Sequence, residues 1–320
     1  MLGLCILGTI AAILLAYLLP QDFRATRHSY LLLAAFAFAV RSLQFQIAVG
    51  LAGAAILAWI MRSWRLSMIA LLPAIVLLAP VARDYLPKKQ PETRAQTCRV
   101  MSMNLLYKNQ NTDAIVKQIR EADPDVVLVE EFTLFQNDAL QKEIGAEYPY
   151  QSIFADHGSS GIGIFSRIPF SNAGDIGLYS SHQQLRATLH LPGGDVALYA
   201  VHLRCPQSIR SIATERIQTA DLIDRLKNEK LPVIVGGDFN FTPDSPNAAA
   251  LRDIGLASTH ELAGHGRGTT FPCVGRWSHL PGIRIDHVMI SHELACTRSY
   301  VAGNSGSDHR PIVADVGWKK

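Results

Sequence analysis

Pro232-Val233-Ile234-Val235-Gly236-Gly237-Asp238-Phe239-Asn240 is an apolar run that closes on two glycines, an acid and an amide. Further along, Ser307-Asp308-His309-Arg310-Pro311 sets an acid beside an imidazole. Both segments read as places where a strand gives way to a loop, the usual position of chemistry in a sheet-based protein. Their short polar side chains can bind a divalent cation, carry a proton or touch a phosphate oxygen.

Working outward, the alternation of apolar runs and helical spacing predicts an α/β domain. Cys98 to Leu106 reads as a strand, Thr112 to Ala122 as a helix with Thr112 at its cap, and Asp125 to Glu131 as a buried strand after the Asp123-Pro124 break. Further strands are predicted at Tyr150–Ala155, Gly161–Ser166, Pro232–Gly237, Ile283–Ile290 and Pro311–Val316. Leu185–Leu191 and Val196–Leu203 flank Pro192-Gly193-Gly194-Asp195, a hairpin signal. Ile209, Ile212, Ile217, Ala220, Ile223 and Leu226 recur at helical spacing, so residues 208–228 should lay one face on a sheet.

The 320-residue chain is not uniform. Residues 1–82 are far more apolar than the rest and read as a membrane anchor with about three transmembrane helices: Leu2–Leu19, Leu43–Met61 and Leu66–Ala82. Tyr30–Val40 is apolar too, but Arg41, Gln44 and Gln46 interrupt its continuation, which suits an interfacial or re-entrant stretch. Gly50, Gly53 and Ala54 would permit close helix approach, although simple packing explains them as well. Residues 83–97, with two prolines and six charges, form a linker, and residues 98–320 a soluble domain.

Charge follows the same division. Residues 1–94 hold nine Lys and Arg against three Asp and Glu, which leaves 21 basic and 24 acidic residues beyond them. The basic character belongs to the anchor. A domain without net positive charge lacks the broad footprint of a protein that grips long nucleic acid through many phosphates. Cys98, Cys205, Cys273 and Cys296 permit two disulfides or four separate thiols, and none has the spacing of a zinc site.

Candidate site residues fall at or near predicted strand ends: Asn104, Glu131, His202, Asp238 with Asn240, Asp286, and Asp308 with His309. Singly, each has an ordinary structural explanation, such as a turn amide, a surface acid or a satisfied core histidine. Jointly they do not. With Ser102-Met103-Asn104, Asp123-Pro124-Asp125 through Glu130-Glu131, Gly237-Asp238-Phe239-Asn240, Arg284-Ile285-Asp286-His287 and Ser307-Asp308-His309-Arg310-Pro311, the chain resembles the endonuclease/exonuclease/phosphatase superfamily from about Arg99 to Trp318. That superfamily includes deoxyribonucleases, abasic-site endonucleases, neutral sphingomyelinases and inositol polyphosphate phosphatases.

The resemblance implies a four-layer α/β/β/α sandwich and metal-dependent hydrolysis of phosphate esters. Glu131 would be the main ligand of Mg²⁺ or Mn²⁺, with Asn104 and Asp308 in support. Asp286 would hold the imidazole of His309, a pair that orients or deprotonates water or stabilises phosphate charge. Asp238 would position the attacking water, Asn240 would donate to a phosphate oxygen, and His202 would contact phosphate or protonate the leaving oxygen. Glu130 should point away on the pleat, and His287 and Ser166-Arg167 are expected to be structural. Leu106 stands where abasic-site nucleases carry a second acid, so one metal is expected.

The implied partners are the lipid bilayer and a phosphate-ester substrate, whether a lipid head group, a nucleic acid or a small phosphodiester, with no obligate protein partner evident. Phe271 and Trp277 lie in a loop that could face substrate, though packing explains them equally. Arg62 and Arg65 oppose the other flanking basic residues in setting membrane orientation. Resemblance to membrane-bound family members implies a multi-pass protein of a bacterial inner membrane with an extracytoplasmic domain. The alternative of another class is a membrane-tethered scaffold that keeps the fold without catalysis.

Overall fold

The computed structural model describes residues 1–320 apart from 95 and 180–182, and apart from the Trp277 side chain. Four helices come first: α1 (Leu2–Leu18), α2 (His28–Ser42), α3 (Gln44–Ile60) and α4 (Trp64–Arg83). There follow β1 (Cys98–Asn104), α5 (Thr112–Ala122), β2 (Val126–Glu130), α6 (Leu134–Ile144), β3 (Tyr150–Phe154), β4 (Ile162–Ser166), β5 (Phe170–Asp175), β6 (Leu185–Leu191) and β7 (Gly194–His202). Then come α7 (Ile209–Asn228), β8 (Val233–Asp238), α8 (Pro246–Asp253), β9 (Ala257–Ser258), α9 (Thr259–Ala263), β10 (Asp286–Ile290), β11 (Leu294–Val301) and β12 (Ile312–Trp318).

The strands make two six-stranded mixed sheets, ordered β11-β12-β1-β2-β4-β3 and β5-β6-β7-β8-β10-β9. Each has one parallel pair near its centre, β1 with β2 and β7 with β8. Period-two alternation explains the layers. Met101, Met103, Val127 and Val129 face out against Ile115, Ile119 and Leu140 of α5 and α6. Tyr199, Val201 and Val235 face out against Leu222, Leu226 and Leu251 of α7 and α8. Between the sheets lie Val100, Val126, Leu128, Leu198, Ala200, Ile234, Val288 and Ile312. The expected α/β/β/α sandwich is therefore observed.

This inner layer changes character at one end. Two residues past Val100 comes Ser102 and then Asn104; past Leu128 comes Glu130; past Ala200, His202; past Gly236, Asp238; and Asp286 precedes Val288 on the antiparallel β10. All are buried. Gly236 lets the sheets close beneath them, since a Cβ there would lie 2.7 Å from Leu128 Cδ1. Gly237 has φ +151, and a Cβ would lie 1.7 Å from the Val201 carbonyl oxygen.

Several local features differ from the sequence reading. The side chain that caps α5 is Asn111 and not Thr112, its Oδ1 accepting from Ala114 N at 3.1 Å. No disulfide forms; Cys98, Cys205, Cys273 and Cys296 are all free thiols. Of the three spans expected, α4 alone is long and apolar enough to cross a membrane by itself among the described residues. The segments α2 and α3 pass together but are bent by 66°, and α1 is apolar yet has 17 residues. Gly50 and Gly53 face open space; Ala48, Leu51 and Ala55 make the helix contacts, with Ala70, Ala74 and Leu77.

The helices rest on the sandwich. At the bend between α2 and α3, Arg41 Nε donates to the Asp244 carbonyl at 2.9 Å and Gln46 Nε2 to the Pro281 carbonyl at 3.0 Å. Buried Arg216 on α7 donates to Gln21 Oε1 and to the Asp22 carbonyl. The expected linker is tied down as well: Lys88 donates to the His260 carbonyl, and Arg94 N to the Trp318 carbonyl at 2.9 Å. Gly237→Ala should lower full-chain stability by about 3 kcal/mol or more, because backbone must move to admit the methyl group. Denaturant titration in detergent checks this, and an unchanged midpoint would contradict the close approach of β7 and β8.

Candidate active site

The register of the strands fixes the site. Asp286 on β10 lies directly opposite Asp238 on β8, and His202 on β7 pairs with Asp238 from the other side. Two buried acids facing each other repel, and a cation beside them relieves the repulsion. The loop before β12 supplies it. His309 Nδ1 is 2.9 Å from Asp286 Oδ2, and its Nε2 lies 3.9 Å from Asp238 Oδ2. His202 Nε2 approaches the same Asp238 oxygen at 3.8 Å.

From the opposite sheet, Asn104 Nδ2 donates to Asp238 Oδ2 at 3.0 Å and contacts Glu131 Oε1 at 3.4 Å. A continuous polar chain therefore runs Glu131, Asn104, Asp238, His309, Asp286. Asn104, Glu131, His202, Asp238, Asp286 and His309 thus lie together at one end of the interlayer. Asp308 and Asn240 flank it through sequence adjacency and through Asn240 N, which donates to Asp238 Oδ1 at 2.9 Å.

Glu131 and Glu130 part company for a backbone reason. Glu131 has φ +52, a left-handed conformation outside the pleat, and leaves β2 half-buried toward the rim. Its Oε2 accepts from Tyr107 N at 3.1 Å, on a loop that Gln136 of α6 pins through the Leu106 and Asn109 carbonyls. Gly161 makes room for the turn, because a Cβ there would lie 1.8 Å from the Phe132 carbonyl oxygen. Glu130 points into the sandwich, where Ser102 Oγ donates to its Oε1 at 3.2 Å and Oε2 accepts no hydrogen bond among the described residues.

Burial and charge set the protonation states. Burial lifts the Asp238 carboxyl to about 7, with the charge of Asp286 adding to the rise and His309 opposing it. For His309, burial favours the neutral ring, but the carboxylates of Asp286 and Asp238 together outweigh it and push the imidazole up to about 10. Burial raises Glu131 above the usual carboxylate range, and raises Glu130 well above it. His287, buried and bonded through Nε2 to the Phe241 carbonyl, is pushed down to about 3, in keeping with a structural role.

The oxygen-rich rim fits a hard divalent cation. Glu131 and Asp308 are half-buried, and neither has a Lys, Arg or His ion-pair partner within 4.0 Å among the described residues. Asn104 Oδ1 accepts from Leu106 N at 3.0 Å while its amide nitrogen faces the acids. The tightest group of ligand-type atoms is Asp238, Asp286 and His309, all within 4.8 Å, and the His309–Asp286 hydrogen bond accounts for that closeness. Asn240 Nδ2 donates to the Leu203 carbonyl at 2.9 Å, leaving its second N–H.

Sequence reasoning missed Gln184, whose fully buried amide bonds both backbone groups of His202, donating to its oxygen at 2.8 Å and accepting from its nitrogen at 2.5 Å. Its only signal was a glutamine just before a strand. Phe271 lies against the His309 ring, centroids 4.9 Å apart, and the Trp277 side chain is outside the described residues. Ser166 and Arg167 support the fold, with Ser166 Oγ donating to the Ile168 carbonyl and Arg167 paired with Asp123 at 2.5 Å.

Comparison with known proteins agrees with the two-sheet fold. The chain has the fold of an endonuclease/exonuclease/phosphatase from Beutenbergia cavernae, 22% identical over 70% of this chain and 72% of that one, with TM-score 0.57. The human Nocturnin catalytic domain with bound sulfate is 21% identical, covering 72% of this chain and 97% of that one, with TM-score 0.56. A Neisseria 3′ phosphatase, NExo, bound to a product DNA hairpin, is 18% identical over 69% of this chain and 100% of that one, with TM-score 0.57. No curated protein matches the sequence. The profile of the Endonuclease/Exonuclease/phosphatase family covers residues 101–309, and the chain belongs to that family of phosphate-ester hydrolases.

Proposed function

We propose that the chain is a membrane-tethered, divalent-cation-dependent phosphoesterase that cleaves phosphodiester or phosphomonoester bonds with an activated water. The observation that carries this reading is the unbroken polar chain from Glu131 to Asp286 at the end of an otherwise apolar interlayer. A scaffold has no use for five buried or half-buried polar groups linked end to end.

Glu131 and Asp308 would hold Mg²⁺ or Mn²⁺, with Asn104 fixing the Glu131 carboxylate. Such a cation, when bound, supplies positive charge to a phosphate oxygen and acidifies water. Asp238, raised to about 7, is poised to accept a proton from the attacking water near neutral pH. His309 is an imidazolium at that pH, so its duty is to stabilise negative charge on the phosphate and not to act as the base. Asp286 holds it in place through Nδ1. His202 is set to protonate the departing oxygen, and the spare N–H of Asn240 to meet a non-bridging oxygen.

The anchor is residues 1–82, the linker 83–97 and the catalytic domain 98–320. Support comes from the apolar α4, from the α2–α3 pair taken together, from the apolar composition of α1, and from their exposed faces, which include Leu14, Ile56, Leu72 and Val76. In this reading the helices lie in a bacterial inner membrane with the domain on its extracytoplasmic side. Alkaline phosphatase fused after Lys320 should then be active, whereas a reporter that works only in the cytoplasm should stay silent; the reverse pattern inverts the orientation.

Glu131→Gln and His309→Ala should each cost at least about a hundredfold in turnover of a phosphodiester while the protein stays folded, and chelation should abolish activity until Mg²⁺ or Mn²⁺ is restored. Full activity in either variant would remove the assigned site. The His309 pair also predicts a pH effect. Because its folded-state pKa is raised from 6.5 to about 10, the stabilisation is complete below about 6.5 and is lost as pH rises through about 10. Full-chain stability should fall more steeply over that window in the parent than in His309→Gln, measured by denaturant titration at several pH values.

A further inference from the structure

The loops that carry the catalytic acids are the same loops that grip the membrane helices. Asp238 leads within six residues to Asp244, which receives Arg41 Nε on its carbonyl at 2.9 Å and Gln44 Nε2 on its carboxylate at 3.4 Å. Asp286 is entered from a loop whose Pro281 carbonyl accepts from Gln46 Nε2 at 3.0 Å. Within that loop, Arg267 places its guanidinium 3.6 Å over the ring of Phe45 and donates to the Gly282 carbonyl at 2.7 Å. Arg41 to Gln46 is the bend from which α3 departs, so the site stands at the level where the apolar helices begin.

Residues 273–281 project between these anchors. One base of the projection is fixed to the site, with Cys273 N donating to the Asp308 carbonyl at 2.9 Å and the Phe271 ring tilted against that of His309. The other base is fixed to α3 through Pro281. Its tip turns Val274 and Leu280 outward, 40% and 57% exposed, beside exposed Arg276 and His279. Apolar side chains set beside a guanidinium and an imidazole suit the headgroup layer of a bilayer, where hydrocarbon is covered and phosphate is at hand.

We propose that this projection lies in the surface of the same bilayer that holds α3 and α4, and that the substrate is a phosphate ester carried by a membrane lipid and delivered to His309 along it. The inference rests on the phosphoesterase reading above and narrows its substrate class. In the reaction, the water oxygen bonds to phosphorus and its proton passes to Asp238. One phosphorus–oxygen bond of the lipid breaks, and the departing alcohol oxygen takes a proton from His202.

Full-length protein in detergent micelles would be assayed on soluble bis(4-nitrophenyl) phosphate, and, reconstituted in vesicles of phosphatidylethanolamine and phosphatidylglycerol, for phosphate-ester cleavage of those lipids. Val274→Asp with Leu280→Asp should lower lipid turnover by about tenfold or more, the change expected when two apolar side chains leave an interface, and should leave the soluble ester unaffected. Cleavage of the soluble ester without any lipid cleavage, or equal lipid turnover in parent and double variant, would overturn the lipid inference alone. Absence of cleavage on both substrates would overturn the phosphoesterase reading beneath it.

Discussion

Two carboxylates, Asp238 and Asp286, face each other across neighbouring antiparallel strands with almost no access to water. Such a pair is unfavourable by itself, since each loses hydration and each repels the other. The imidazole of His309 answers both, bonding Asp286 directly and approaching Asp238 with its other nitrogen. Asn104 and His202 reach the same Asp238 oxygen from two other strands. Four strands and a loop are thus brought to one carboxylate, and the arrangement of the site follows from the need to keep that charge company.

The sandwich permits this because its interlayer is apolar everywhere else. Val100, Leu128, Leu198, Ile234 and Val288 bring the sheets together, and polar side chains begin only at the last inward position of each strand. Low polarizability beneath and a rim of oxygen above make each electrostatic contact stronger than it would be at a surface. Glu130 lies at the boundary between these layers. Burial pushes its carboxyl well above the usual carboxylate range, and Ser102 Oγ donates to it.

Much of the fold was legible because burial leaves a plain mark on sequence. The strand Leu185–Leu191 and the helix Thr112–Ala122 are found at the bounds their periodicity indicates. What escaped were elements whose residues obey local needs: β5, with Asn172, Gly174 and Asp175 in an irregular edge strand; β11, broken by a bulge between Cys296 and Arg298; and the short α8 behind its Ser245 cap. The identity of the site residues was readable, but their postures were not. Nothing in the sequence announces the left-handed turn at Glu131, the direction of the Asn104 amide or the clamp of Gln184 on His202, because each depends on groups far along the chain. The bend between α2 and α3 has a related cause: Arg41 and Gln44, which interrupt the apolar run, meet Asp244 of the sandwich.

The leading segments are attached to the sandwich at α7 through Gln21 and Asp22, at the loops after β8 and before β10 through Arg41 and Gln46, at α9 through Lys88, and at β12 through Arg94. A body hung from one thread spins freely, and one hung from two still swings. With more fastenings than that it does neither, so the direction in which the cleft opens is inherited from the tilt of the helices. The compass bearing of the enzyme is set by its roots.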